Sequence, residues 1–118
     1  MLALRGATTC DENTKAEIEV KTQQLVRAML DRNALGHDDI VSIIFTATDD
    51  LTAEFPATAA RALGLGDVPL ICARELGIDH GKPRCIRVMM HFQADRDRST
   101  LHHVYLEGAR SLRDDLPE

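Results

Sequence analysis

Tryptophan is absent from this chain, and aromatic residues make up only 3% of its 118 positions. With 44% hydrophobic residues, the core it can build is aliphatic. No run of Lys or Arg is interleaved with aromatics, and the formal charge is −5, which argues against a sequence-independent nucleic-acid binder. There are three cysteines, Cys10, Cys72 and Cys85, an odd number with no C-x-x-C pair. A disulfide framework and a zinc ribbon are both disfavoured, and a reducing cytoplasm is the expectation. The start, "MLALRGATTC", has neither a charged leader nor a long apolar run, so no signal peptide is expected. No stretch approaches the roughly 20 apolar residues of a membrane span.

Chemical motifs are missing too. There is no G-x-S-x-G, no P-loop and no G-x-G-x-x-G. The five histidines include no H-x-x-x-H or H-x-H spacing, so neither a metal site nor a cofactor is expected. Cys72 and Cys85 have no local signature of a nucleophile, and small buried apolar roles suit such cysteines.

What is present reads as one α+β domain over residues 1–118, a mixed β-sheet with one long and one short helix. Leu2 to Thr9 is a first strand, with Gly6 marking a bulge or a close backbone approach. Thr14 and Glu17 have capping-box spacing. Behind them Ile18, Thr22, Leu25, Val26 and Met29 form the apolar stripe of a helix that runs to about Asn33, with Gly36 just beyond. "IVSIIFTAT" (Ile40 to Thr48) is β-branched and nearly all apolar, so it reads as a central strand covered on both faces. Pro56 opens a short helix closed by Gly64. Val68 to Ala73 is a third strand, "GIDHGKP" has hairpin-turn composition, and Arg84 to Ala94 is a fourth strand. "LHHVYLEGARSLR" is ambiguous, strand-like at His103 to Leu106 and open to a helical reading beyond.

The fourth strand poses the sharpest question. Ile86, Val88, Met90 and Phe92 make a core face, and Cys85, Arg87, Met89 and His91 make the other. One long helix covers only one face of such a sheet. The second face is too apolar for water and has nothing in the chain to cover it, which predicts an oligomer whose sheets pack together. Arg87 stands mid-strand on that face beside Met89, and Arg5 stands mid-strand in the first strand with Ala3 and Ala7 on its own face, each with a surface ion pair as the alternative. Burying a guanidinium is costly unless an anion pairs with it. Arg61 and Arg113 are further candidates, each with a surface ion pair as the alternative. Glu75 is a candidate partner for an arginine or acceptor for a ligand hydroxyl, and Tyr105 is the single tyrosine. Arginines, one glutamate and one tyrosine, without a nucleophile or base, point to a small anionic ligand. Any catalysis would work by electrostatics and positioning.

Five segments carry a resemblance: "RGATT" (Arg5 to Thr9), "FPATAARAL" (Phe55 to Leu63), "VPLICARE" (Val68 to Glu75), "CIRVMM" (Cys85 to Met90) and "HVYLEGARSLRDDL" (His103 to Leu116). Taken together, in this order and spacing, the chain resembles the monofunctional chorismate mutases of the AroH class. The resemblance implies a homotrimer with a pseudo-α/β-barrel core and three clefts between subunits. It also implies conversion of chorismate to prephenate on the route to phenylalanine and tyrosine, with no cofactor. By the same resemblance, Arg87 reaches the ether oxygen of the breaking bond and Arg5 clamps a carboxylate. Glu75 accepts from the ring hydroxyl with Cys72 beside it, and Tyr105 donates to a carboxylate. Phe55, Ala57 and Arg61 would come from the neighbouring subunit, and Leu112 and Arg113 would belong to a mobile C-terminal part. Two positions depart from the family pattern. Thr58 stands where a lysine is frequent, and Ile71 where a hydroxyl residue is frequent. Two other readings are a trimeric imine deaminase of the RidA type and a non-catalytic sensor of an anionic metabolite.

Overall fold

The computed structural model describes residues 1–79 and 81–112. Five strands form one sheet: β1 (Leu2–Thr9), β2 (Ile40–Ala47), β3 (Leu70–Arg74), β4 (Cys85–Phe92) and β5 (Val104–Tyr105). Their spatial order is β3-β2-β4-β1-β5. The central strand is β4, antiparallel to both β1 and β2, while β3 runs parallel to β2 and β5 parallel to β1. The long helix, α1 (Lys15–Arg32), links β1 to β2, and a shorter one, α2 (Pro56–Ala60), precedes β3.

The stripe expected on α1 is the one it buries: Ile18, Thr22, Leu25, Val26 and Met29. Its N-terminus is capped by Thr14, whose hydroxyl accepts from the Glu17 backbone N–H at 3.2 Å. The reciprocal bond of a capping box is not made. The Glu17 carboxylate reaches past the cap to the Asp11 N–H instead, at 2.9 Å, and so fastens the loop that leaves β1. At the other end the left-handed residue is Ala34 (φ 53°), not Gly36. Asn33, the C-cap, is 1% exposed and takes the load. Its side-chain amide donates to the Met29 and His102 carbonyls at 2.9 and 2.8 Å, and its carbonyl oxygen accepts from the His102 N–H at 2.7 Å. Arg96 donates to the Asn33 backbone carbonyl. The end of α1 is thereby tied to the segment that leads into β5.

Gly6 marks a close approach. A Cβ there would lie 2.5 Å from the Met29 sulfur and 3.1 Å from Leu25 Cδ1, so α1 rests directly on the β1 backbone. Around this contact Leu4, Ile43, Phe45, Val88, Met90 and Phe92 pack against Leu25, Val26 and Met29 to make the main core. Each such side chain contributes about 1.5–3 kcal/mol by leaving water.

Among the described residues, nothing covers the β2–β3 part of the sheet's other face. β2 is an interior strand, paired with β3 and β4, but it is not covered on both faces: Ile43 and Phe45 are fully buried, whereas Ile44 and Val41 are each 37% exposed. Register puts Ile44 beside Met89 of β4 and Ile71 of β3, and Ile71 is 60% exposed. Cys85 lies on the Arg87 side of β4, as the influence of that guanidinium on its thiol shows, but it is buried at the start of the strand and exposes no surface there.

Three further expectations change. "GIDHGKP" does not make a hairpin, because β2 lies between β3 and β4. The short helix stops at Ala60 and continues as one wider turn, Arg61–Leu65, in which Gly64 takes φ 89°. The ambiguous tail resolves into β5 of only two residues, followed by a 3-10 turn over Glu107–Ser111. No helix among the described residues is long and apolar enough to cross a membrane.

A surface latch has a defined pH signature. His37, in the 3-10 turn before β2, lies 2.6 Å from Asp67 on the loop before β3. That hydrogen bond raises the His37 pKa above its ordinary value and lowers that of Asp67. The histidine's contribution is complete below its unfolded pKa and is lost as pH rises through the folded one. The aspartate's contribution is complete above its unfolded pKa and is lost as pH falls through the folded one. NMR titration should show the His37 pKa dropping toward the ordinary histidine value in Asp67→Asn. A His37 pKa unmoved by that substitution would show that the pair does not form in solution.

Candidate active site

Strand alternation sets the site. On the open face the register brings Arg87 of β4 between Ala7 of β1 and Thr46 of β2, and Arg5 opposite Met89. Tyr105 of β5 sits beside Ala7. Glu75 lies one residue past β3, and its N–H donates to the Ala47 carbonyl at 3.0 Å, which continues the parallel ladder and brings its side chain over β2. These residues line one open cleft of about 270 Å³, together with Ile44, Val88 and Met89. Two arginines, one carboxylate, one phenol and the Thr46 hydroxyl thus converge on a floor that is apolar elsewhere.

The charges are coupled. Glu75 Oε2 lies 3.2 Å from Arg87 Nε, with the Glu75 side chain 24% exposed and that of Arg87 43%. Proximity does not bring alignment: the buried Arg87 Nε–H is not directed at the carboxylate and makes no hydrogen bond. The bond that Glu75 Oε2 does accept is from the Thr46 hydroxyl, at 2.7 Å. Arg5 makes no ion pair among the described residues, and its backbone N–H donates to His103 Nδ1 at 3.0 Å. Tyr105 is 5% exposed and clusters with Ala7, Ala109 and the half-buried Leu112. Thr9 of β1 accepts from the Gly108 N–H at 2.9 Å, and Lys21 of α1 lies 3.6 Å from Glu107, which holds the 3-10 turn against both elements. Arg113 lies outside the described residues.

The remaining expected residues are elsewhere. Phe55, 67% exposed, heads α2 and lines a second recess of about 470 Å³ with Leu51, Glu54, Pro56, Cys72 and Arg74. Cys72 is not among the described residues that line the Glu75 cleft. Alternation turns Ile71 and Ala73 to the open face and Cys72 to the helix layer, where it packs with Leu70 against the main core. Ala57 is 4% exposed and its methyl belongs to that core. Thr58 is half-buried, its hydroxyl 3.4 Å from Glu54 Oε1. Arg61 is exposed and has no ion-pair partner among the described residues.

Thr46 went unread in the sequence. A threonine in a β-branched run looks like ordinary strand composition, and only pairing shows it between Glu75 and Arg87. No cluster of three or more metal-ligating side chains occurs among the described residues.

Comparison with known proteins bears on this arrangement. The family model for chorismate mutase type I matches residues 1–116. Chorismate mutase AroH of Bacillus subtilis is 43% identical over 114 residues, covering 96% of this chain and 90% of that protein. Chorismate mutase AroH of Thermus thermophilus is 41% identical over 114 residues, covering 96% of this chain and 93% of that protein. The solved structure of a chorismate mutase from Clostridium thermocellum superposes with a TM-score of 0.92 at 48% identity, covering 93% of this chain and 98% of that one.

The thiols have a simple expected behaviour. Burial, with Glu17 nearby, pushes Cys10 up to about 11, and burial also raises Cys85. Both are therefore protonated and shielded at pH 8. In a Cys72→Ser variant a thiol reagent at pH 8 should label nothing in the native protein and two thiols after unfolding. Rapid native labelling would show that one of the two is open to solvent.

Proposed function

The chain belongs to the chorismate mutase type I family, and from that premise we propose how its open sheet face performs the reaction. The protein is a chorismate mutase, an isomerase that converts chorismate to prephenate by a [3,3] rearrangement in aromatic amino-acid biosynthesis. Relatives aligned over nearly the whole chain are mutases, which leaves the imine-deaminase and metabolite-sensor readings without support. The reaction needs no nucleophile and no proton transfer. It requires that a flexible dianion be held in a compact chair and that charge be stabilised as the C–O bond stretches.

The observation that carries the site assignment is Arg87 beside Glu75 on an apolar floor, with Arg5 and Tyr105 in the same cleft. In this reading the Arg87 guanidinium faces the ether oxygen. Negative charge gathers there in the transition state, so a fixed cation acts more strongly on the transition state than on the substrate. Glu75 accepts from the ring hydroxyl. Arg5 and Tyr105 take carboxylate oxygens, which are charged in substrate and transition state alike. Carrying a net charge of −5, the protein needs this local concentration of arginines to draw in an anion.

The cleft is half of the working site, and a second copy of the chain supplies the other half. Two observations support this. The cleft is open, and the floor around it exposes Ile44 and Ile71. The expected substrate-facing residues Phe55 and Arg61 sit on the α2 side of the chain, exposed and away from the cleft. A homotrimer in which the α2 region of one copy caps the cleft of the next would cover the apolar face and complete each site. The cytoplasm is the compartment consistent with three cysteines left as free thiols.

Two outcomes follow. Replacing Arg87 with citrulline keeps the shape and most donors but removes the charge. It should lower kcat by about 10²–10³ with a much smaller change in KM. Retention of kcat within a few-fold would make Arg87 a structural ion pair. Sedimentation should give three subunits at micromolar concentration. An inactive Arg61→Ala protein mixed with an inactive Arg87→Ala protein should regain activity as subunits exchange. Demonstrated exchange without recovered activity would mean that Arg61 and Arg87 do not meet across an interface.

A further inference from the structure

We infer that Thr46 is a positioning residue that keeps Glu75 and Arg87 from closing into a two-bond pair, so that each keeps a face for the substrate. The inference rests on the roles given to Glu75 and Arg87 above. It starts from a mismatch between distance and direction. A guanidinium beside a carboxylate ordinarily closes into two parallel N–H···O bonds. Here Arg87 Nε and Glu75 Oε2 are 3.2 Å apart, yet the Nε–H is not directed at that oxygen and goes unbonded. The ion pair is close but not locked.

Thr46 explains why. It is the register partner of Arg87 across β2 and β4, so its side chain rises from the same face next to the guanidinium. Glu75 reaches this point from the far side, because its backbone continues the ladder onto Ala47. The Thr46 hydroxyl donates to Oε2 at 2.7 Å and so occupies the oxygen nearest the arginine. The other oxygen, Oε1, is 3.3 Å from the Leu76 N–H, a long contact that leaves most of its accepting capacity. A β-branched residue in a strand has a restricted χ1, which fixes the direction of that hydroxyl before any ligand arrives. Thr46 thus supplies Glu75 with a partner of no charge. Glu75 need not take its partner from Arg87, and the Arg87 guanidinium stays available for the ether oxygen.

Without that hydroxyl, Oε2 would turn to the nearest donor, which is Arg87. The resulting two-bond pair would withdraw both groups, and the substrate would have to break it in order to bind and react. Losing a hydrogen bond to a charged group in this way is expected to cost roughly ten- to a hundred-fold.

The test uses Thr46→Val, which keeps the β-branch and removes the donor, with Thr46→Ser as the variant that restores a hydroxyl. Steady-state kinetics with chorismate should show kcat/KM lowered about ten- to a hundred-fold for Thr46→Val, while Thr46→Ser recovers most of it. Melting temperatures of both variants should stay close to the parent. The decisive readout is the pair with Glu75→Gln. In that background Thr46→Val should change kcat/KM by less than about three-fold, because the group it positions is already gone. Equal damage in both backgrounds would make Thr46 a merely structural strand residue, and so overturn the inference. Thr46→Val indistinguishable from the parent, with Glu75→Gln strongly impaired, would overturn it while leaving the role of Glu75 intact. Full activity of Glu75→Gln alone would remove that role, and this inference would fall with it.

Discussion

One helical layer cannot cover two faces of a five-stranded sheet. That constraint organises this protein. α1 and α2 lie on one side, where Gly6 lets α1 settle onto the β1 backbone and Leu25, Val26 and Met29 close over the strands. The opposite side keeps side chains that are too apolar to suit water, such as Ile44 and Ile71. A surface of this kind is costly to leave exposed, and a second copy of the same chain is the simplest cover. It also provides a floor of low polarity. Charges set on it act more strongly than they would in open water.

The charges placed there are few and are not neutralised symmetrically. Arg87 and Glu75 are close, Thr46 takes the oxygen between them, and Arg5 has no acidic partner among the described residues. A fully closed salt bridge would stabilise the resting protein and leave nothing to offer an anion. An incompletely closed one keeps donors directed outward. The rigidity comes from elsewhere. The buried Asn33 amide joins the end of α1 to the His102 backbone, and so fixes the approach of the chain to β5 and Tyr105. Thr9 and Lys21 then hold the 3-10 turn that follows.

Period-two geometry also separates residues that are neighbours in sequence. Cys72 and Glu75 are three positions apart, yet one packs into the helix layer and the other passes the strand end into the cleft. Ala57 is two residues from Phe55, but it is a core residue while Phe55 is exposed. The site proposed above draws on such residues together. On this chain they divide between two surfaces, which is the arrangement a site shared between copies requires.

Much of this was legible in the sequence, because periodicity and burial are local properties. The α1 stripe, the core face of β4, the close approach at Gly6 and the uncovered sheet face all follow from which residues alternate or recur. Arg5 and Arg87 stood out because charged groups in apolar strands require partners, Glu75 as a carboxylate at a strand end and Tyr105 as the single tyrosine. Pairing could not be read this way. Only the order β3-β2-β4-β1-β5 separates β3 from β4, removes the hairpin and places Thr46 against Arg87. Hydrogen-bond direction was equally hidden: Glu17 bonds to Asp11 rather than to the cap, and Arg87 lies near Glu75 without donating to it from Nε. Propensity and pattern act along the chain, whereas register and donor alignment are decided between segments distant in sequence. Those are set only when the layers pack.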